Sequence, residues 1–168
     1  MNASYRWLLD CVPGLKLTPE EMSEHLALRG APLDGTESPG KGLEDVVVGR
    51  VISAEKHPNA DRLTLCEVDG GQGVVSVVCG APNVLEEAWY PFAPVGAVLP
   101  GDLKLKKVKI RGEVSHGMLC SAKELGLGAD HDGIYQIHGE FIPGESFIEA
   151  MGLDDVTMDI EITANRGD

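Results

Sequence analysis

The chain has 168 residues, 43% hydrophobic and 24% charged, which suffices for a packed core and excludes wholesale disorder. At about 100–200 residues per domain it holds one domain, or one plus a fragment. Its 14 Lys and Arg against 27 Asp and Glu leave a net charge of −13, which argues against a simple polyanion binder, because phosphate contacts dominate nucleic-acid affinity. No apolar run approaches the roughly 18–20 residues that cross a bilayer, and the first residues lack a signal-peptide segment. A cytoplasmic protein without membrane contact is expected. Its four widely spaced cysteines, Cys11, Cys66, Cys79 and Cys120, are then free thiols.

Ser4 is placed to cap a short helix that Pro13-Gly14 ends. Thr18-Pro19-Glu20-Glu21 is a stronger start, a capping box with proline at the first helical position. Met22 and Leu26 then share a face, and Gly30 ends the helix. Residues 34–42 (DGTESPGKG) read as a linker. From there the period becomes that of strands, predicted at 46–53, 64–68 and 74–79, with Gly70-Gly71-Gln72-Gly73 turning the last two into a hairpin. Residues 94–98 are a short strand candidate and 103–111 the next strand. Within 103–111, Leu103 and Leu105 share one phase and Val108 and Ile110 the other, which predicts a β-bulge near Lys106-Lys107. Ser121-Ala122-Lys123-Glu124 is a second capping box opening a short helix, and a strand is predicted at 134–137. A helical stretch at 147–151 precedes an alternating strand at 156–162. The chain stops soon after that strand with no closing element, so an artificial boundary is expected, with apolar surface of 156–162 left exposed. The expected fold class is mainly β with an α+β flank, built on a five-stranded barrel of the oligonucleotide/oligosaccharide-binding (OB) type.

The charge is uneven. Residues 139–168 carry one basic and eight acidic side chains, while residues 40–138 carry ten and 13. Five of those ten, Lys104, Lys106, Lys107, Lys109 and Arg111, fall in one strip. The strip is either a phosphate-contacting edge or a solvated strand whose charges keep an edge from pairing with another chain. The run His57-Pro58-Asn59-Ala60-Asp61-Arg62 is either a structural corner or a loop at the barrel mouth, where Lys56, Asn59 and Arg62 face a ligand. Asn83 in the CGAPNV segment has the same two readings. Single-strand OB binders stack bases on aromatic side chains, and the predicted second and third strands contain none. Trp89, Tyr90, Phe92 and Tyr135 are the nearby aromatics, the first three equally readable as core or interface. Any RNA contact is therefore expected to run through shape and backbone and not through stacking. No catalytic motif is present: Cys79 and Cys120 lack a base, GGQG precedes a strand and not a helix, and His131-Asp132 is a turn.

Residues 48–68 (VGRVISAEKHPNADRLTLCEV), 78–84 (VCGAPNV) and 107–127 (KVKIRGEVSHGMLCSAKELGL) resemble the tRNA-binding OB domain of synthetase-associated proteins, endothelial monocyte-activating polypeptide II and the C-terminal domain of some methionyl-tRNA synthetases among them. The opening SYRWL…LTPEEMSEHLALRGAPLD, the blocks CGAPNV and GMLCSAKELGLG-x-DHDGI, and the trailing TANRGD are similar to the N-terminal region of bacterial phenylalanyl-tRNA synthetase β subunits. The resemblance implies an OB domain at 40–150 inserted into a small α+β domain, whose first half is 1–39 and whose truncated second half begins at 151–168. It implies an auxiliary, weak and salt-sensitive tRNA contact by Lys56, Asn59, Arg62, Asn83, Lys106, Lys107, Lys109, Arg111, Ser115 and Met118, the last two as neighbours of the family's RNA face. Ser115 and Met118 have a structural reading as well, a tight glycine turn with Met118 plugging the barrel end. The implied parent enzyme ligates phenylalanine to its tRNA with ATP and Mg²⁺, in a heterotetramer with an α subunit that carries the catalytic site and is bound by regions mostly beyond this chain. The chain itself then carries no catalytic site, cofactor or metal. Two alternatives remain: a protein-interaction scaffold with little RNA affinity, and a free-standing tRNA-binding OB protein.

Overall fold

The computed structural model describes residues 1–162; the TANRGD stretch from which part of the resemblance was read lies outside the described residues. In chain order the elements are β1 (Asn2–Ser4), α1 (Tyr5–Cys11), α2 (Pro19–Ala27), β2 (Leu33–Glu37), β3 (Val47–Lys56), β4 (Thr64–Asp69), β5 (Val74–Cys79) and β6 (Trp89–Pro94). They continue with β7 (Val98–Leu99), β8 (Leu103–Lys104), β9 (Val108–Ile110), β10 (Glu113–Ser115), β11 (Gly117–Leu119), α3 (Phe147–Ala150) and β12 (Thr157–Ile160). The described residues divide into two compact units, one of residues 1–40 with 153–162, the other Lys41–Gly152.

The first unit is a three-stranded antiparallel sheet in the order β1-β12-β2. Ser4 caps α1, its Oγ accepting from the Trp7 N–H at 3.0 Å. The capping box of α2 forms in both directions, with Glu21 N–H donating to Thr18 Oγ1 (3.3 Å) and Thr18 N–H donating to Glu21 Oε2 (2.9 Å). Met22, Ala3, Met158 and Ile160 make the core, with Leu26 packed against it. Two expectations are corrected. The predicted linker contains β2, which pairs with β12 through Thr36 opposite Met158 and Gly35 opposite Asp159. It escaped notice because only Leu33 of its five residues is shielded from solvent, so an edge strand shows no apolar alternation. The closing strand is not left open either. β12 is the middle strand of the sheet and Met158 is fully buried, although Ile162 stays exposed.

Strands are the main regular structure of the second unit, and its main sheet is a nearly closed antiparallel barrel in the order β11-β6-β3-β4-β5. This is the expected OB-type architecture. β3 is long because it serves two neighbours: its first half pairs with β6 and its second half with β4. A register shift between Val51 and Ser53 leaves Ile52 out of the ladder and bends the strand between the two roles. Closure comes from the other edge, where the His116 N–H donates to Ser76 O (2.9 Å) and the Val78 N–H to Ser115 Oγ (3.1 Å). The barrel is filled by Val51, Cys66, Val68, Val77, Cys79, Tyr90, Phe92, Leu119 and Ile134. Phe92 needs the glycines around it, since a Cβ at Gly49 or Gly70 would sit 2.7 Å from its atoms.

Four further expectations change. The fourth barrel strand is Trp89–Pro94 and not 94–98. Pro91 and Pro94 disguise it as a connection, yet Pro91 lies opposite Val48 and its carbonyl accepts from the Cys120 N–H at 3.0 Å. The stretch 103–111 is not one bulged strand: β8 pairs with β7 and β9 with β10, in separate hairpins. The phase slip marks the break between them. The second capping box forms, with the Ser121 N–H donating to Glu124 Oε2 at 2.6 Å, but only one turn follows before Gly126 at φ +69° stops it. Residues 134–137 form a single bridge between Trp89 and Ile137 instead of a strand.

Candidate nucleic-acid interface

In OB barrels oligonucleotides are gripped by the face of the second and third strands and by the loops joining strands one to two and four to five. Here barrel strands one to five are β3, β4, β5, β6 and β11. The first of those loops is therefore residues 57–63, and the second is the long connection 95–116. The whole cationic strip, Lys104 to Arg111, lies in that second loop. Lys104, Lys106, Lys107, Lys109 and Arg111 are all exposed. None of them, and not Arg62, forms an ion pair with any described carboxylate. In the described residues the cations thus remain available in a protein of net charge −13.

The two loops meet. The tip of the β9–β10 hairpin turns at Arg111 (φ +52°) and Gly112 (φ +108°). A Cβ added at Gly112 would lie 3.7 Å from Nδ2 of Asn59. Between tip and loop is an open cleft of about 550 Å³ lined by residues 59–63 together with Ile110 and Arg111. Asn59, Arg62 and Arg111 are thus brought to one concavity, while Lys56 stands at the end of β3 and pairs with Asp61 at 2.9 Å, both side chains exposed. Lys106, Lys107 and Lys109 flank the hairpin without lining the cleft. Two guanidinium groups, one carboxamide and apolar walls suit a phosphodiester lying across a ribose edge. Leu63 and Ile110 as cleft walls were missed in the sequence; the broken alternation at 103–111 hid the phase that turns Ile110 inward.

The remaining sequence candidates are held within the fold. Asn83 donates from Nδ2 to Ile134 O (2.8 Å) and accepts the Ile134 N–H on Oδ1 (2.9 Å), so both ends of its amide are used. Ser115 is buried; its hydroxyl donates to Gly117 O (2.9 Å) and accepts from Val78 N–H. Met118, half-buried on β11, lines a separate depression beside Cys79, Ser121 and His131. None of the three joins the 57–63 cleft.

The aromatics serve the fold. Tyr90 and Phe92 are core, and the Tyr90 hydroxyl donates to Asn83 O (2.9 Å) and accepts the Leu85 N–H (3.0 Å). Trp89 is half-buried, with the Arg50 guanidinium 5.5 Å from its ring centre and Phe141 meeting it edge-on at 5.9 Å. Arg50 is itself held by Glu87. Burial pushes the Cys66 and Cys120 thiols up to about 12 and raises Cys79 as well, which leaves these three as inert packing groups. Among the described residues no helix is long and apolar enough to cross a membrane.

A family model described as "Putative tRNA binding domain" matches residues 46–146. Over its full length the chain is 46% identical to the phenylalanine–tRNA ligase β subunit of Syntrophotalea carbinolica and 44% identical to that of Nitratidesulfovibrio vulgaris, covering 21% of each. The likeness includes the first unit as well as the barrel, which disfavours a free-standing barrel protein. The chain spans about a fifth of the length of these relatives. Among solved structures, the crystal structure of a MetRS related protein from Pyrococcus horikoshii matches 60% of this chain and 85% of that one, at 26% identity and a TM-score of 0.44. Residues 46–146, the part matched by the family model, contain the whole barrel, the 57–63 loop and the cationic connection, and the chain belongs to this tRNA-binding domain family.

Proposed function

We propose that this chain is the tRNA-contacting module of a phenylalanine–tRNA ligase β subunit, auxiliary to aminoacylation by the complete enzyme. The observation that carries the reading is the meeting of the 57–63 loop with the cationic 95–116 connection, which leaves Arg62 and Arg111 around one cleft without carboxylate partners among the described residues. Lys106, Lys107 and Lys109 extend the positive field alongside it, and Asn59 supplies a neutral donor and acceptor. Because the outward faces of β4 and β5 carry no aromatic residue, the contact is with phosphates and ribose and is weak. Each phosphate contact adds about −0.7 to −0.9 to the slope of log affinity against log salt, so three or four contacts make a strongly salt-sensitive complex.

The parent protein would ligate phenylalanine to its tRNA with ATP and Mg²⁺ in the cytoplasm, together with an α subunit bound through regions other than this one. In that parent, residues 1–39 are the first half of the domain that carries the barrel at 40–150, and residues 151–168 are the start of its second half. A fluorescence titration of the 168-residue chain with tRNA at low and moderate salt tests the reading. Saturable binding that fades with salt is expected; absent binding, or binding indifferent to salt, overturns it in favour of a protein-docking scaffold. The pure chain should show no ATP–pyrophosphate exchange.

A further inference from the structure

His57 stands at the junction of β3 and the 57–63 loop and is 2% exposed, which is unusual for a histidine in a loop on the rim of a barrel. It pins that loop at three points. Its N–H donates to Leu63 O at 3.0 Å, its carbonyl accepts the Ala60 N–H at 3.4 Å, and its Nδ1 accepts the Asn59 N–H at 3.0 Å. The last bond requires an unprotonated Nδ1, so the neutral ring carries its proton on Nε2. That Nε2 is buried and has no hydrogen-bond partner among the described residues. A buried polar atom left unpaired is a cost that an apolar ring in the same space would avoid. Stability alone does not account for a histidine here. Its Nδ1 offers what a hydrocarbon cannot: an acceptor for the backbone of the residue whose side chain reaches the Arg111-Gly112 tip.

We infer that His57 is a positioning residue for the RNA-facing cleft: through Nδ1 it fixes the backbone of Asn59 and so holds Asn59 and Arg62 opposite Arg111 for a phosphodiester ligand. This rests on the tRNA-binding reading proposed above. His57 touches no RNA itself; it removes the ordering cost that a free loop would incur on binding.

The test uses two variants chosen for what they place at Nδ1. His57→Phe keeps a ring and removes the acceptor; His57→Asn sets a carboxamide oxygen near the Nδ1 position and keeps it. Two readouts are taken on the 168-residue chain: amide hydrogen exchange at Asn59 without RNA, and tRNA affinity by titration at fixed salt. In His57→Phe the barrel remains folded, the Asn59 amide loses protection at least tenfold, and tRNA affinity falls about three- to tenfold; His57→Asn restores both to within about twofold of wild type. Unchanged Asn59 exchange in His57→Phe overturns the inference, as does faster exchange with unchanged affinity, or equal loss in both variants. If His57→Phe unfolds, the comparison of His57→Asn with His57→Gln, whose carboxamide reaches the Nε2 position instead, decides in the same way. Wild-type protein that fails to bind tRNA overturns the underlying reading, whereas wild-type binding matched by His57→Phe overturns only the role of His57.

Discussion

Asp61 is the residue whose placement works against its neighbours. It sits on the rim of the cleft, its side chain 95% exposed, and it takes up the Lys56 ammonium at 2.9 Å. An exposed pair of this kind adds little to folding, but its negative charge opposes a phosphate. Asp61→Asn is expected to raise tRNA affinity about two- to threefold at low salt, the gain shrinking as salt screens the site, with an unchanged denaturation midpoint; a titration series across ionic strength checks it. Asn83 is the opposite case. Its carboxamide closes a two-bond clamp on the backbone of Ile134, a core residue. Asn83→Ala leaves that N–H and carbonyl unpaired in a half-buried site, at a cost of about 1–3 kcal/mol. Urea denaturation should show the loss, while tRNA affinity of the folded fraction stays as in wild type, because the cleft at 57–63 is elsewhere on the barrel.

Among the elements, the connection 95–116 carries the most consequence. It is divided into two hairpins, β7–β8 and β9–β10, and β9 pairs on one side only. The lysines around β9 therefore line an open edge and could act solely to keep that edge from pairing with another chain. The two roles give different results. Replacing Lys106, Lys107 and Lys109 together by Ala should lower the salt slope of tRNA binding by about 2–3 if each meets a phosphate, with the thermal midpoint unchanged because none of the three is buried or paired. If the lysines only guard the edge, tRNA binding is unaltered and the variant associates with itself, which sedimentation or light scattering detects.

At the scale of the molecule, the barrel interior has the chemical character of a closed core. Cys66 lies wholly inside it and Cys120 is fully buried just after β11, and burial raises both thiols to about 12. Cys79 is raised by the same cause, and only Cys11 is exposed. Under native conditions near pH 8 a disulfide reagent should therefore label one of the four thiols quickly, and all four after denaturation. The pH dependence follows from the same shift. An acid whose folded value lies above its unfolded value of about 8.5 favours the folded state fully below that value. Its contribution is lost as pH rises from there towards 12, so the thiols predict alkaline destabilisation beginning near pH 9. Denaturant midpoints measured from pH 7 to 11 should fall on that branch, and less steeply in Cys66→Ala, judged against its own midpoint at pH 7.

The local signals were legible in the residues themselves. Thr18 to Glu21 specified a capping box and Ser4 a cap, because each bond closes within three residues. The β-branched runs of β3, β4 and β5, with the glycine turn at 70–73, specified three barrel strands, and the position of the cations and of the 57–63 loop was readable as charge and turn chemistry. Sequence could not reveal β2, whose solvent-facing residues carry no alternation, or β6, whose prolines look like a connection until β3 and Cys120 supply its partners. Nor could it separate Asn83 and Ser115, whose side chains bind the backbone of Ile134 and of Val78, from Asn59, Arg62 and Arg111, gathered at one cleft. Bonds that close within a turn are written in neighbouring residues. Whether a polar side chain faces a ligand or satisfies a buried amide depends on what residues 30 or 50 positions away bring beside it, and only the closed barrel decides that.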